Sequence, residues 1–229
     1  MLQQDLEHDT GILTLTLARP PVNALNQALY DSIHEGLAFA AHNQDVRAIV
    51  LAASGTKAFS AGADTKAFAD LPLHEAEQRQ LALILRCLQD WVQCSKPTVA
   101  ALEAPAIGAG LMLACACDEI VMSQDAWVSL PEIQLNLPTP IGAAIVQRRV
   151  RHSAVHALLQ RAERFDADRC RDQGLADEVV SGREVARVAR ERACVLAAFD
   201  TDVYAVNKRW MNQGLSQTLE SAAKWVDQS

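Results

Sequence analysis

The first half of the chain alternates between apolar runs with the pattern of strands and longer segments with the pattern of helices, and few architectures accommodate that succession. "GILTLTLARP" alternates apolar and polar residues and breaks at Pro20-Pro21, which predicts a strand running into a loop. "NQALYDSIHEGLAFAAHN" places Leu29, Ile33, Leu37 and Ala41 at helical spacing behind Asn26, a residue type that caps helices. "VRAIVLAA" is a buried strand. "LHEAEQRQLALILRCLQDWVQCS" is an amphipathic helix with a stripe of Leu81, Leu85, Leu88 and Val92. The segments "KPTVAAL", "GAGLMLACA", "DEIVMSQ" and "AWVSLPEI" then predict strand, short helix, strand, and a short strand or turn. Repetition of this kind implies a wound α/β body.

After about residue 145 the strand patterns stop and helical ones dominate, from "AAIVQRRV" through "REVARVARERACVLAAF" to "VYAVNKRWMNQG". The expected organisation is an α/β core over residues 1–145 and a helical region over 146–229, with no low-complexity linker between them. The full 229 residues suffice to bury a substantial core. A net charge of −7 argues against nucleic acid or an anionic membrane as the main partner. The six cysteines include no CxxC pair and no histidine at zinc-ligand spacing, so no metal is expected. The start "MLQQDLEHDTG" lacks the basic and apolar regions of a leader, and no apolar run approaches the roughly 18 residues that cross a bilayer. A reduced, cytoplasmic enzyme is the expectation. Cys115 and Cys117 read as core packing on a small-residue helix.

Two small-residue patches stand out, "SAGADTKAF" after the strand "RAIVLAASG", and "APAIGAGLMLACACD". Short side chains at a strand-to-helix turn let a ligand approach the backbone, and the first amides of a helix have no internal partner. Gly108, Ala109 and Gly110 open the predicted helix, so their amides face whatever precedes it. "SAGAD" delivers a further amide, and two converging amides make an oxyanion hole. Close packing of helix on strand is the alternative for either patch alone. Neither patch is a GxGxxG or GxxxxGK[ST] phosphate motif, which makes a dinucleotide-binding enzyme a poor reading.

"KAFSAGADTKAF", "KPTVAALEAPAIGAGLMLACACDEIVMS", "SLPEIQL" and "RFDADRCRDQGLADEVV" together resemble the successive signature segments of the enoyl-CoA hydratase/isomerase (crotonase) superfamily, from about residue 12 to about residue 215. The resemblance implies a spiral of strand-strand-helix units with a C-terminal helical trimerisation region, an acyl-CoA thioester as substrate with no separate cofactor, and a homotrimer or hexamer. It places Ala63 and Ala109 where the family supplies the oxyanion amides. It places Ala61, Ala63, Asp64, Thr65 and Lys66 along the CoA, with Val22 and Ala24 as the other wall of that groove. Lys66 then puts a cation near a CoA phosphate, and Asp64 supports the following helix.

The family's hydratases use two glutamates, one in the helix after the glycines and one in the "PE" segment. Here Glu132 occupies the second position and Met112 the first. A thioether cannot exchange a proton, so two-carboxylate hydration is in doubt. One carboxylate beside an oxyanion hole suffices to move a proton from C2 to C4. That is the pattern of isomerases converting 3-enoyl-CoA to 2-enoyl-CoA, with Glu132 as the single acid/base. Leu130, Ile133 and Leu135 are the candidates for desolvating it. Hydration, hydrolysis or decarboxylation of another acyl-CoA are alternatives, as is a non-catalytic acyl-CoA-binding homologue. The prolines of "QLNLPTPIGAA" predict a rebuilt wall after Glu132, with Asn136 in a local turn. His34 reads as structural or solvent-facing. His74 is a candidate at the acyl pocket, Tyr30 has no evident partner, and Trp210 and Trp225 are expected to pack the terminal helices, with cover of an exposed acyl tunnel as the alternative.

Overall fold

Alternation along the central strands decides which layer each side chain enters. The computed structural model describes residues 2–55 and 57–227. β1 (Leu2–Glu7) and β2 (Ile12–Leu17) form an antiparallel hairpin, and α1 (Gln27–His42), β3 (Ala48–Ala53), α2 (Leu73–Gln93) and β4 (Thr98–Leu102) follow. β5 (Ala106–Ile107), α3 (Ala109–Ala116), β6 (Glu119–Ser123) and β7 (Trp127–Ser129) complete the part in which the apolar runs dominate. A 3-10 turn (Glu132–Leu135) then leads through α4 (Pro140–Val146) and α5 (His152–Gln160) to β8 (Phe165–Asp166). The chain closes with α6 (Ala167–Asp172), β9 (Glu178–Val180), α7 (Val185–Ala197) and α8 (Thr201–Asp227).

Six strands make one sheet in the order β1-β2-β3-β4-β6-β9, parallel except at the first pair, and β5-β7-β8 make a second. Ala48, Val50, Val99, Ala101 and Val121 point to one face, where α7 covers them with Val185, Val188, Ala189 and Ala193. Their neighbours Ile49, Leu51, Ala100, Leu102 and Met122 point to the other face and enter the main core beneath α1, α2 and α3. A period of two on strands buried on both faces produces this division. The fold is the α/β architecture expected from the sequence.

Helix ends follow local chemistry. The Asn26 side chain accepts the Leu29 amide at 3.1 Å and caps α1. α3 is buried along its whole length, and its carbonyl end is held by Arg149, whose guanidinium donates to the carbonyls of Cys117 (2.6 Å) and Asp118 (2.7 Å). Cys115 and Cys117 are fully buried in that helix, and burial pushes their thiols up to about 11 and about 12, as core packing requires. His34 serves as a structural tie, its Nδ1 lying 2.8 Å from Asp90 Oδ2 between α1 and α2. The Tyr30 ring is buried in the same layer, and no hydrogen-bond partner for its hydroxyl is found among the described residues.

Two expectations are corrected. Strands do not end near residue 145, because β8 adds to the smaller sheet and β9 pairs with β6 at the edge of the larger one. Both are too short to establish an alternation of their own. Trp210 and Trp225 do not pack into the chain's interior: they are 78% and 69% exposed on α8, whose buried positions include Lys208, Asn212, Leu219 and Ala223 instead. Among the described residues no helix is long and apolar enough to cross a membrane.

Candidate active site

The residues around the two small-residue patches are forced into close approach by the absence of side chains. Gly62 and Gly108 both have positive φ, +89° and +54°, a backbone state that other residues rarely adopt. A Cβ on Gly62 would lie 3.0 Å from the Ile107 carbonyl oxygen and 3.4 Å from the Ala109 nitrogen. A Cβ on Gly108 would lie 2.8 Å from Glu132 Oε1. Each glycine therefore stands immediately before one expected oxyanion residue, Ala63 or Ala109, and the two turns meet face to face. Among the described residues, neither the Ala63 nor the Ala109 amide donates to a protein acceptor. The neighbouring amides are committed, Asp64 to Leu25 O at 2.9 Å and Gly108 to Ser129 O at 2.9 Å.

The second of these bonds also places the carboxylate. Ser129 ends β7, Leu130 is fully buried and anchors the strand's exit, and Pro131 starts the 3-10 turn at Glu132. Three residues beyond a strand end pinned to Gly108, Glu132 returns its Oε1 to the same glycine. Its Oε2 is buried with no hydrogen-bond partner among the described residues. Burial raises its carboxyl above the ordinary glutamate range, because a desolvated carboxylate without a compensating charge is disfavoured. The desolvating groups differ from those expected. Leu130 is buried, but Ile133 and Leu135 are 43% and 57% exposed, since a 3-10 turn carries them outward. Leu135 still borders the cavity, whose apolar wall is Met112, Leu137 and Ile141.

Ala61, Ala63, Thr65, Ala109 and Glu132 all line one cavity of about 660 Å3. Met112 lines it too, so a thioether stands inside the site at the position that the resemblance assigns to the first glutamate of the hydratases. Val22, Ala24, Asp64 and Lys66 are not on its wall. The loop's own hydrogen bonds explain the first three: Val22 O accepts the Ala61 amide at 2.9 Å, and Ala24 O accepts from Arg19 at 2.8 Å. The Asp64 carboxylate pairs with Arg19 at 2.6 Å and accepts the Lys66 amide at 3.0 Å. Asp64 thus braces its own turn and does not cap α2, whose first residue is Leu73. Lys66 is exposed beside Thr65.

A further wall comes from α2, which the sequence pattern identifies only as an amphipathic helix. Leu81 and Ile84 face the cavity, along with the polar Glu77, Gln78 and Gln80 and the expected His74. Gln80 Nε2 donates to the Asp64 carbonyl at 3.0 Å and ties this helix to the amide-bearing loop. The outward side of an amphipathic pattern was the only available signal, and solvent explains such a side equally well. Thr139 and Pro138 complete the wall after Glu132. Asn136 sits in the left-handed conformation (φ 57°) and closes the turn locally.

A family model described as enoyl-CoA hydratase/isomerase matches residues 7–228. The chain is 27% identical to a carboxymethylproline synthase of Pectobacterium carotovorum subsp. carotovorum over 215 residues, 93% of this chain and 86% of that protein. It is 34% identical to the human peroxisomal bifunctional enzyme over 182 residues, 79% of this chain, and spans only 24% of that longer protein. A solved structure of a Mycobacterium tuberculosis enoyl-CoA isomerase superposes with a TM-score of 0.90 at 20% identity, covering 100% of this chain and 98% of the other, a likeness of fold. With two uncommitted amides and a carboxylate on one cavity, the chain belongs to the enoyl-CoA hydratase/isomerase (crotonase) family and is an acyl-CoA enzyme of that family.

Proposed function

We propose that the enzyme shifts the double bond of a 3-enoyl-CoA to the 2-position, with Glu132 as its single acid/base. The observation that carries this reading is a desolvated carboxylate with an unpartnered Oε2 on the same cavity as the Ala63 and Ala109 amides, with Met112 where two-carboxylate hydration would need a second proton-transferring group. Glu132 takes the C2 proton, and the C2–H electron pair moves into the thioester to form a dienolate whose oxygen accepts both amides. The same proton returns to C4 and the double bond relocates to C2–C3. No water enters, and one carboxylate suffices. A positioned base contributes about 10²–10⁴-fold and one oxyanion donor about 3–4 kcal/mol.

The CoA is assigned to the side of Ala61 and Thr65, with exposed Lys66 available to a phosphate. The exposed apolar residues of α8, including Val203, Val206, Trp210 and Met211, support self-association of this face into a trimer or a dimer of trimers. His74 and Glu77 on the cavity wall favour thioester hydrolysis as the second reading.

The test is a panel of 3-enoyl-CoA chain lengths assayed for conjugated-thioester absorbance and, in parallel, for free CoA thiol, with wild type and Glu132→Gln. Conjugation without thiol release, lost by at least about 10³-fold in the variant, is the expected result. Thiol release without conjugation moves the assignment to hydrolysis, and binding with neither signal overturns both.

A further inference from the structure

Ser60 is fully buried and is not on the wall of the cavity that holds Glu132, yet it touches both turns that present the amides. Its hydroxyl donates to the Asn23 carbonyl at 2.8 Å and accepts the Gly62 amide at 3.2 Å, so it holds the residue before Ala63. Its own carbonyl accepts the Ile107 amide at 2.9 Å, two residues before Ala109. On the far side of Ala109, a Cβ on Gly110 would fall 2.6 Å from Ser60 O, 2.7 Å from its Cβ and 3.0 Å from its Oγ. Ala109 is therefore bracketed by residues resting on Ser60.

The partner of that hydroxyl is itself fixed. Asn23 is fully buried in a left-handed conformation (φ 50°). Its Oδ1 accepts the Arg19 amide at 2.8 Å, and its Nδ2 donates to Ser54 O (2.9 Å) and Ala58 O (3.1 Å). Arg19 continues to Asp64 at 2.6 Å, which pins the loop just beyond Ala63. A buried hydroxyl needs only one partner to be satisfied. This one is used as both donor and acceptor, between a rigid anchor and the glycine whose conformation directs an active-site amide.

We propose that Ser60 is a positioning residue that sets the relative placement of the Ala63 and Ala109 amides, an inference that rests on reading those amides as the oxyanion hole. Side-chain volume alone does not explain it, because the Gly62 contact is a hydrogen bond to a backbone donor, and an alanine would leave that amide free to rotate away.

The test compares full-length wild type with Ser60→Ala and Ser60→Cys, the latter filling the space with a weak hydrogen-bonding group. The direct readout is the carbonyl stretch of a bound 2-enoyl-CoA carrying 13C at the thioester carbon, which reports how strongly the amides polarise that oxygen. Wild type shifts the stretch to lower frequency than free ligand. The expected result is that Ser60→Ala loses most of this shift and about 10-fold in kcat, with KM and the affinity for CoA alone changed less than about 3-fold, and that Ser60→Cys falls between. If Ser60→Ala does not fold, Ser60→Cys is read alone against the same criterion. A carbonyl shift equal to that of wild type in the folded variants overturns the proposal, as does a loss of kcat, KM and CoA affinity in equal measure. Absence of any shift in wild type overturns the oxyanion reading and this inference with it.

Discussion

Two carboxylates lie at strand ends near the two ends of α3, and the protein treats them oppositely. Asp118, after its carbonyl end, accepts Lys208 Nζ at 2.7 Å, Thr98 N at 2.9 Å and Thr98 Oγ1 at 2.9 Å on a single oxygen, Oδ2. Lys208 also donates to the Lys96 carbonyl at 2.9 Å, so the cluster fastens α8 to β4. Glu132, near its amide end, has a buried oxygen with no partner among the described residues and shares its cavity with two residues whose amides are in the same state. Most buried polar groups of a folded chain are satisfied, with single exceptions such as the Tyr30 hydroxyl. Uncommitted donors and an uncommitted acceptor gathered on one cavity therefore mark the place where a ligand completes the hydrogen bonding.

Breaking the satisfied end has the larger effect on stability. Lys208 is 5% exposed at its side chain and Asp118 15%, so Lys208→Met leaves a carboxylate largely buried without its cation. A loss of about 3–5 kcal/mol is expected in chemical denaturation, partly recovered in Lys208→Met/Asp118→Asn. Turnover per folded molecule is expected to stay within about 2-fold of wild type. A fall in kcat with unchanged stability would show that the Asp118 cluster communicates with the site and that the contrast is false.

The opposite end breaks differently. Gly108→Ala forces a side chain into positive φ and onto Glu132 Oε1, 2.8 Å away, which disturbs both the Glu132 carboxyl and the Ala109 amide. The expected loss in kcat/KM is about 10²–10³-fold, measured with the best 3-enoyl-CoA of the panel. Affinity for CoA alone is expected to change little. Loss of both in proportion would mean that Gly108 serves packing and not the arrangement of the site.

The same contrast explains what was legible beforehand. Apolar alternation in "VRAIVLAA" and "KPTVAAL" specifies a sheet buried on both faces, and the small residues of "SAGAD" and "IGAG" specify turns that can approach each other. β1 and β9 were not legible because they occupy the sheet's edges, where only partial burial constrains their side chains. Leu81 and Leu88 share one periodic stripe, yet Leu88 enters the core and Leu81 a cavity, a difference created only when α2 packs beside the Asp64 turn. The double use of Ser60 likewise depends on segments brought together from positions 23, 62, 107 and 110. Periodicity reports which side of an element is apolar. It does not report whether that side meets protein, substrate or a second copy, which is why the tryptophans of α8 were misjudged.

The smallest expected effect is also the most specific to an uncommitted carboxylate. In the unfolded chain Glu132 titrates near the ordinary value of about 4.3, while in the folded chain burial raises it. Between those two values the native state retains a proton that the unfolded state has released. Stability therefore falls as pH rises through that window, and the whole penalty is present above it. Glutamine never ionises, so Glu132→Gln gains stability at pH 7–8 and nothing at pH 4 or below. The gain is read as a higher Tm for Glu132→Gln than for wild type at pH 7–8 that disappears at pH 4. The kinetic counterpart is an acid limb of kcat/KM in wild type that lies above the range of an exposed glutamate, because in the proposed reaction Glu132 must be ionised to take the C2 proton. An equal Tm for the two proteins at both pH values, with the acid limb in the ordinary range, would mean that Glu132 is solvated in the working enzyme and that the amides alone distinguish this end of α3 from the other.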